Sequence, residues 1–200
     1  EFSPNLYKII IVLNSDNYGI DKKELVVGMR EIGRKDTQFT LNNSKIFLRG
    51  TLECNIFPIT GYPPMDVLSW QKIFHTIKQY GLNHMRFHSW CPPKAAFEAA
   101  DIEGIILQVE APIENVQIGE NNERDKFIEA ELRRIIDTYG NHPSFCLMSL
   151  GNEFGGDNNI LTKWIDMLMK LDPRHLYSSA ACGQNTDNRQ FTVTCDGRGI

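Results

Sequence analysis

Three segments of the chain repeat apolar residues at i, i+3, i+4 and i+7, which is the spacing of one face of an α-helix. Each segment stops at residues that favour helix termination: Gly81, Gly140 and the pair Asp172-Pro173. The repeating apolar residues are Trp70, Ile73, Phe74, Ile77 and Tyr80; Ile128, Leu132, Ile135, Ile136 and Tyr139; and Leu161, Trp164, Ile165, Leu168 and Leu171. The pattern predicts three amphipathic helices.

Short, mostly apolar runs lie before, between and after these helices, as expected for strands buried on both faces of a parallel sheet. There are about six such runs, at residues 46–49, 83–88, 104–110, 145–150, 175–180 and 191–195. Alternating strands and helices are typical of an α/β fold. No G-x-G-x-x-G motif follows any run, which argues against a dinucleotide-binding sheet and favours a (β/α)8 TIM barrel. Because a complete barrel needs about 250 residues, we expect an incomplete one of about six strands.

The first part of the chain has a different pattern. Residues 6–13 are rich in Ile and Val and precede Asn14-Ser15-Asp16-Asn17, which predicts a strand followed by a turn. Residues 39–41 and 45–49 are two further β-prone runs on either side of Asn42-Asn43-Ser44, and we interpret them as a hairpin. Helical spacing begins only after this hairpin, so β-strands are expected to precede the barrel.

Composition and charge exclude several classes of protein. The 200 residues are 42% hydrophobic and 23% charged, which indicates an ordinary soluble globular protein. The net charge is only −4 and the basic residues are scattered, so nucleic acid is not expected as a partner. No apolar run approaches the roughly 20 residues that span a bilayer, and the chain does not begin like a signal peptide. Five cysteines without C-x-x-C spacing indicate neither a zinc site nor a disulfide framework.

Polar residues follow three of the predicted strands at their carboxyl ends. In a parallel barrel these ends meet at one mouth, where active sites form. The candidate residues are Arg86, His88, Trp90, Glu110, Asn152 and Glu153. An aromatic ring, a cation, an amide and carboxyl groups together suit the binding of a sugar and the protonation of a glycosidic oxygen. The pattern therefore points to glycoside hydrolysis, with Glu153 as the general acid.

Each candidate also has a purely structural interpretation. Arg86 and Glu110 are equally compatible with a buried ion pair inside the barrel. His88 and Trp90 are equally compatible with packing at the mouth, since aromatic rings more often pack than bind ligands. Glu153 taken alone is compatible with a surface loop or a helix cap. The order of the surrounding motifs favours catalysis for Glu153.

Four motifs occur in order along the predicted barrel: FTLNNSKIFLRG at 39–50, GLNHMR at 81–86, DIEGI at 101–105, and NHPS followed by SLGNE between 141 and 153. Together they resemble glycoside hydrolase family 2, which contains β-galactosidases, β-glucuronidases and β-mannosidases. The motifs resemble the opening hairpin of that family's catalytic barrel, its second strand, the approach to its third strand and its fourth strand. The sequence SPNLY at 3–7 also resembles the end of the immunoglobulin-like domain that precedes this barrel.

The resemblance implies two domains, both incomplete. Residues 1–36 would be the C-terminal strands of an immunoglobulin-like β-sandwich, and residues 37–200 the N-terminal part of a truncated TIM-barrel glycosidase domain. It implies a retaining, exo-acting β-glycosidase in which Glu153 is the acid/base and Asn152 binds the sugar 2-hydroxyl. The family's nucleophile is a second Glu on the seventh strand. No residue up to Ile200 matches it, so the chain alone is expected to be inactive.

Two departures from the family pattern bear on ligands. The chain has Phe87-His88-Ser89-Trp90 where the family usually has Ser-His-Tyr-Pro, so the place of His88 in the subsite stays open. Asn115-Val116 lacks the His that helps to bind magnesium in bacterial β-galactosidases. We therefore expect no metal and no cofactor, and a carbohydrate substrate. Family members in polysaccharide-degrading bacteria are often periplasmic, which is the expectation for localisation.

Three alternatives stay open at this point. An endo-acting glycanase of the same clan would also end its fourth strand in Asn-Glu. A carbohydrate-binding protein on a degenerate barrel would keep the binding residues without the chemistry. A structural fragment would associate with itself through its open barrel edge, because unpaired strands favour oligomerisation.

Overall fold

The computed structural model describes residues 4–193 and shows β-structure followed by repeated β-α units. The elements in chain order are β1 (Leu6–Ser15), β2 (Gly19–Gly28), β3 (Ile32–Lys35), β4 (Gln38–Leu41), β5 (Ser44–Lys45), β6 (Gly50–Glu53), α1 (Val67–Gln79), β7 (His84–Phe87), α2 (Lys94–Glu103), β8 (Ile106–Glu110), β9 (Gln117–Ile118), α3 (Asn122–Tyr139), β10 (Phe145–Asn152), β11 (Gly155–Gly156), α4 (Asn158–Leu171) and β12 (Leu176–Ala181).

Strands β1 and β2 form a long antiparallel hairpin that confirms the strand predicted at 6–13. They pair along their whole length, from Leu6 opposite Gly28 to Ser15 opposite Gly19, and the turn at residues 16–18 begins two residues later than predicted. Consecutive side chains between residues 9 and 13 are all 44–66% exposed. The hairpin therefore contributes little to the core of residues 4–193. The assignment of residues 1–36 to an immunoglobulin-like domain stays a prediction.

The hairpin predicted around Asn42 and Asn43 is confirmed as β4 and β5, and β3 pairs with β4 on the other side. The two asparagines have φ of 49° and 64°, the left-handed pair that a tight type I′ turn requires. The prediction of a strand at 46–49 is wrong, because the first strand of the parallel sheet is β6, which starts at Gly50. Ile46 and Leu48 instead pack against buried residues at the amino ends of β8, β10 and β12. Ile46 and Leu48 are apolar because they cover the amino-terminal end of the parallel sheet.

Five parallel strands form the sheet that carries the candidate site, in the order β12-β10-β8-β7-β6. Each strand lies beside its predecessor in the chain, as in a TIM barrel, and the predicted strands at 83–88, 104–110, 145–150 and 175–180 are confirmed. Val193 forms an isolated parallel bridge with Ala181 at the β12 edge. The rest of the sixth strand predicted at 191–195 lies outside the described residues. Within residues 4–193 the sheet is an open part of a barrel.

The three predicted helices are confirmed as α1, α3 and α4, and each begins at a side-chain cap: Asp66, Asn121 and Asp157 accept hydrogen bonds from backbone N–H groups of the first turn. Helix α2 was not predicted, because its buried face is made mainly of alanines rather than large apolar residues. It ends at Gly104, whose φ of 74° suits a helix C-terminus. No helix among the described residues is long and apolar enough to cross a membrane.

The main apolar core lies between the helices and the parallel sheet. Its largest fully buried side chains include Trp70, Phe87, Phe97, Phe145 and Tyr177. A second set of buried residues on the same strands is polar, namely Gln108, Glu110, Ser149, Asn152 and Ser178. On β8, Gln108 and Glu110 alternate with Leu107 and Val109 of the main core, so the two polar residues lie on the face turned away from the helices. Asn152 reaches the same group through a hydrogen bond from Arg86, which also binds Glu110. That face holds the candidate site.

Candidate active site

Arg86 and Glu110 form a two-point ion pair between neighbouring strands. Arg86 is the third residue of β7 and Glu110 the last of β8. Arg86 Nε donates to Glu110 Oε1 at 2.6 Å and Nη2 donates to Oε2 at 3.1 Å. The Glu110 side chain is fully buried and that of Arg86 is 14% exposed. Burial raises the pKa of Glu110, and the hydrogen bonds and positive charge of Arg86 oppose that rise.

The same arginine also holds Asn152, the last residue of β10. Arg86 Nη2 donates to Asn152 Oδ1 at 2.9 Å, and Asn152 is buried. Because Oδ1 accepts from a guanidinium, the amide is oriented with its Nδ2 donor pointing away from Arg86. Within residues 4–193, neither Asn152 Nδ2 nor Arg86 Nη1 makes a protein hydrogen bond. Two donors are thus left for a ligand.

Further polar side chains surround the carboxylate of Glu110. Gln108 Nε2 donates to Ser149 Oγ at 2.9 Å and lies 3.4 Å from Glu110 Oε1, and Ser89 Oγ lies 3.4 Å from Oε2. Gln108, Ser149 and Ser89 are not among the candidate residues predicted from the sequence. Gln108 had a usable signal, because it lies two positions before Glu110 and shares its face of β8. The site is therefore deeper than the strand ends alone suggest.

Glu153 follows β10 directly and is exposed. Its φ is 47°, in the left-handed region that few non-glycine residues adopt. Its backbone N–H donates to Ala181 O at 2.9 Å, while its carboxylate has no hydrogen-bond or ion-pair partner among the described residues. The Glu153 carboxylate is therefore accessible to solvent, and the residue before it, Asn152, is held by Arg86.

His88 and Trp90 lie beyond the end of β7. His88 Nε2 is 3.7 Å from Glu114 Oε1, in the segment that follows β8. Trp90 packs edge-on against Phe87 and Phe57, with ring centroids 5.3 and 6.3 Å away. Its indole Nε1 is buried and finds no acceptor in the part of the chain that the structure describes. The structure thus places His88 in a pair at the rim and Trp90 in an aromatic cluster, while Arg86, Glu110 and Asn152 form one connected group.

Comparison with known proteins identifies the family. Residues 32–196 match "Glycosyl hydrolases family 2, TIM barrel domain". The chain belongs to glycoside hydrolase family 2. The β-galactosidase of Leuconostoc mesenteroides is 30% identical over 172 residues, and that of Staphylococcus xylosus 31% identical over 174 residues. These alignments cover 81% and 80% of this chain but only 16% and 17% of the relatives. The chain thus spans less than a fifth of each of these two β-galactosidases.

Solved structures of family 2 proteins share the fold. The crystal structure of Parabacteroides merdae β-glucuronidase superposes with a TM-score of 0.77 at 22% identity, over 90% of this chain and 24% of that one. A family 2 member from Bacteroides cellulosilyticus gives a TM-score of 0.76, also at 22% identity, over 91% of this chain and 24% of that one. The incomplete TIM barrel predicted from the sequence is confirmed.

The residues present do not fit the magnesium site of bacterial β-galactosidases. The segment Asn115-Val116 lacks the histidine that the family resemblance implies, and Val116 is an apolar side chain that packs against the core and has no ligand atom to offer. Glu114 is already opposite His88. Among residues 4–193, no group of three His, Cys, Asp or Glu side chains is arranged to hold a metal ion.

Proposed function

We propose that this chain forms the acid/base part of the active site of a retaining, exo-acting β-glycosidase. The observation that carries the proposal is the double role of Arg86, which binds Glu110 and Asn152 at once. That arrangement anchors the side chain of Asn152, the residue before Glu153, at the carboxyl end of the sheet, where barrel enzymes bind substrate. Family 2 membership makes a terminal β-linked sugar the substrate class.

The residues divide into binding and supporting roles. Asn152 Nδ2 donates to the sugar 2-hydroxyl, an interaction that strengthens in the transition state. Arg86 Nη1, which makes no hydrogen bond within residues 4–193, would be a second donor to the sugar. Glu110 is fully buried, so its role is to orient Arg86 and balance its charge rather than to contact the sugar. His88 and Trp90 would shape the rim of the subsite.

Glu153 performs the proton transfers. In the first step it protonates the departing glycosidic oxygen while a second carboxylate attacks the anomeric carbon, forming a glycosyl-enzyme. In the second step Glu153, now ionised, removes a proton from the water that hydrolyses this intermediate. Retention follows from the two inversions. The second carboxylate corresponds to the family nucleophile, which no residue up to Ile200 matches.

Replacement of Glu153 in a protein that carries this sequence with a complete barrel tests the proposal. Glu153→Gln should lower kcat/KM about 10³-fold for alkyl or phenyl β-glycosides, because general-acid catalysis contributes about 10² to 10⁴. For dinitrophenyl β-glycosides, whose leaving group needs no proton, the loss should be much smaller. Aryl β-galactosides and β-glucuronides are the first substrates to assay.

Glu114→Gln is the matched control, since Glu114 is a nearby carboxylate with a partner of its own, His88. It should change both substrate classes to the same extent. Equal losses on both classes for Glu153→Gln would argue against the acid role. Sugar binding without turnover in the unsubstituted protein would favour a non-catalytic carbohydrate-binding barrel.

A further inference from the structure

The loop that carries Glu153 is held from two sides, and on the β12 side the side chain of Gln184 adds to backbone hydrogen bonds. We propose that Gln184 is a positioning residue for Glu153, acting by fixing the main chain of residues 154–156. The inference rests on the proposed acid/base role of Glu153. It assigns a function to a residue in the loop after β12, far along the chain from the Asn-Glu motif.

Glu153 needs such support because of its own geometry. Its φ of 47° is an uncommon conformation for a residue with a side chain, and such conformations persist only where the surroundings impose them. Since its carboxylate has no partner among the described residues, the side chain does not anchor itself. The position of the carboxyl group therefore depends on the main chain on either side of it.

The first side of the loop is fixed by backbone contacts with the segment after β8. Asn152 N–H donates to Ile113 O at 2.9 Å and Gly155 N–H to Val116 O at 3.1 Å. Strand β11 then pairs with β9. Gly156 has a φ of 122°, and a Cβ there would lie 2.1 Å from Ile118 O, so the two chains are in direct backbone contact. No side chain is needed to hold this side.

The second side is held by the end of β12, where Ala181 O accepts from Glu153 N–H at 2.9 Å, and by Gln184. Its backbone N–H donates to Phe154 O at 3.0 Å, and its side-chain Oε1 accepts from Gly156 N–H at 2.9 Å. One residue thus binds the loop at two points on either side of residue 155. Among the described residues, it is the one side chain that hydrogen-bonds the main chain of residues 153–156.

Gln184 is itself held in place, so its role is not substrate contact. Its Nε2 donates to Asn158 Oδ1 at 3.3 Å, which uses the second end of the amide. A Cβ on its neighbour Gly183 would lie 2.6 Å from Phe154 O, which shows how closely this segment approaches the loop. Loss of the Gln184 side chain would remove the bond to Gly156 N–H on this side of the loop, while the backbone bond to Phe154 and the pairing of β11 with β9 remain. Glu153 would then sample positions away from the leaving oxygen.

The test uses kinetics in a protein that carries this sequence with a complete barrel. Gln184→Met keeps the side-chain volume and removes both hydrogen bonds of the amide. It should lower kcat/KM about tenfold for alkyl or phenyl β-glycosides and less than about twofold for dinitrophenyl β-glycosides, because misplacement of a catalytic group affects the step it catalyses. Gln184→Glu retains the acceptor for Gly156 N–H and should restore the rate on poor leaving groups to within about threefold.

Gln190→Met is the matched control. Gln190 makes the same pair of bonds at the opposite end of β12: its N–H donates to Tyr177 O at 2.8 Å and its Oε1 accepts from Tyr177 N–H at 2.9 Å. Its replacement should cost similar thermal stability and should change both substrate classes equally. A leaving-group-independent loss for Gln184→Met, like that of Gln190→Met, would make Gln184 merely structural and overturn the inference.

Parallel measurement of Glu153→Gln separates this inference from the proposed function. If Glu153→Gln shows a leaving-group-dependent loss and Gln184→Met does not, the role of Gln184 is wrong and the function stands. If Glu153→Gln shows no such dependence, the proposed function is wrong, and the inference about Gln184 is wrong with it. Should Gln184→Met not fold, Gln184→Asn gives the same test, since it keeps an amide but withdraws it by one methylene from Gly156.

Discussion

Arg86 and Glu110 are bound through two parallel hydrogen bonds, and the carboxylate of this pair has no access to solvent. A buried charge that loses its partner costs far more than a surface charge that does so. The pair also fixes the atom that holds Asn152. Stability and site geometry are therefore coupled at Glu110.

Glu110→Gln should lower the free energy of unfolding by about 3 kcal/mol, because it leaves Arg86 without a counter-charge. Urea unfolding monitored by circular dichroism measures the change. Glu98→Gln is the control: Glu98 pairs with Lys94 at 2.7 Å on the surface of α2, and its loss should cost at most about 0.5 kcal/mol. Equal effects of the two variants would contradict the buried character of the Arg86–Glu110 pair.

His84 makes stability depend on pH. It is buried at the start of β7, and desolvation lowers its pKa from 6.5 to about 4, against a hydrogen bond to Ile106 O that favours the charged form. The unfolded state then binds a proton between pH 6.5 and 4 that the folded state does not, so stability falls as the pH is lowered through this window. By pH 4.5 this single group should have removed about 2 kcal/mol relative to pH 7.

Urea unfolding at pH 7 and pH 4.5 checks this expectation. His84→Gln should lose about 2 kcal/mol less than the unsubstituted chain over that interval. His175, whose pKa burial likewise lowers to about 4, will keep part of the dependence in the variant. His75→Gln removes an exposed histidine from α1 and should leave the pH dependence as it was. An unchanged slope in His84→Gln would show that His84 is charged in the folded protein.

Gly151 lies in close contact with the segment after β8, and a larger residue at this position tests that contact. A Cβ at this position would lie 2.4 Å from Ile113 O, and the contact is with backbone that cannot rotate away. Gly151→Ala should therefore destabilise the chain by about 2 to 3 kcal/mol, as overpacking of a tight contact does. Gly61→Ala is the comparison, because Gly61 has a φ of 73° with open space around it and should cost only about 1 kcal/mol. A smaller loss for Gly151→Ala than for Gly61→Ala would show that the segments after β8 and β10 are not in contact.

The chain of 200 residues should not hydrolyse glycosides by itself. A retaining mechanism needs two carboxyl groups about 5 Å apart, and the proposed function assigns only one of them, Glu153, to a residue within 4–193. Purified chain incubated with nitrophenyl β-galactoside and β-glucuronide should release no nitrophenol above a heat-denatured control. Turnover by this chain would mean that another of its carboxylates acts as the nucleophile.

Apolar spacing was sufficient to predict α1, α3 and α4, because large side chains such as Trp70, Leu132 and Trp164 repeat on one face. It missed α2, whose buried face consists mainly of alanines that carry little periodic signal. It misplaced the first barrel strand, since β-prone residues that close the amino end of a sheet look the same in sequence as residues within a strand.

Part of the candidate site was predictable from the position of polar residues relative to the strands. Arg86, Glu110 and Asn152 each stand at or near a strand end, and parallel strands bring such ends together. The structure brings these three into one group. Gln184 had no local signal, because its relation to Glu153 arises only when the loops after β10 and β12 meet in the folded chain.

Hydrogen bonds join the loops after β8, β10 and β12 to one another. These bonds restrict the changes in loop length by which substrate specificity could be altered. An insertion in any one of these loops would disturb the other two, so tolerated insertions and deletions should be rare there. Residues 54–66, between β6 and α1, share no backbone hydrogen bond with those loops among the described residues. Directed evolution toward new aglycones should therefore begin with length variation in residues 54–66, which leaves the hydrogen bonds among these three loops in place.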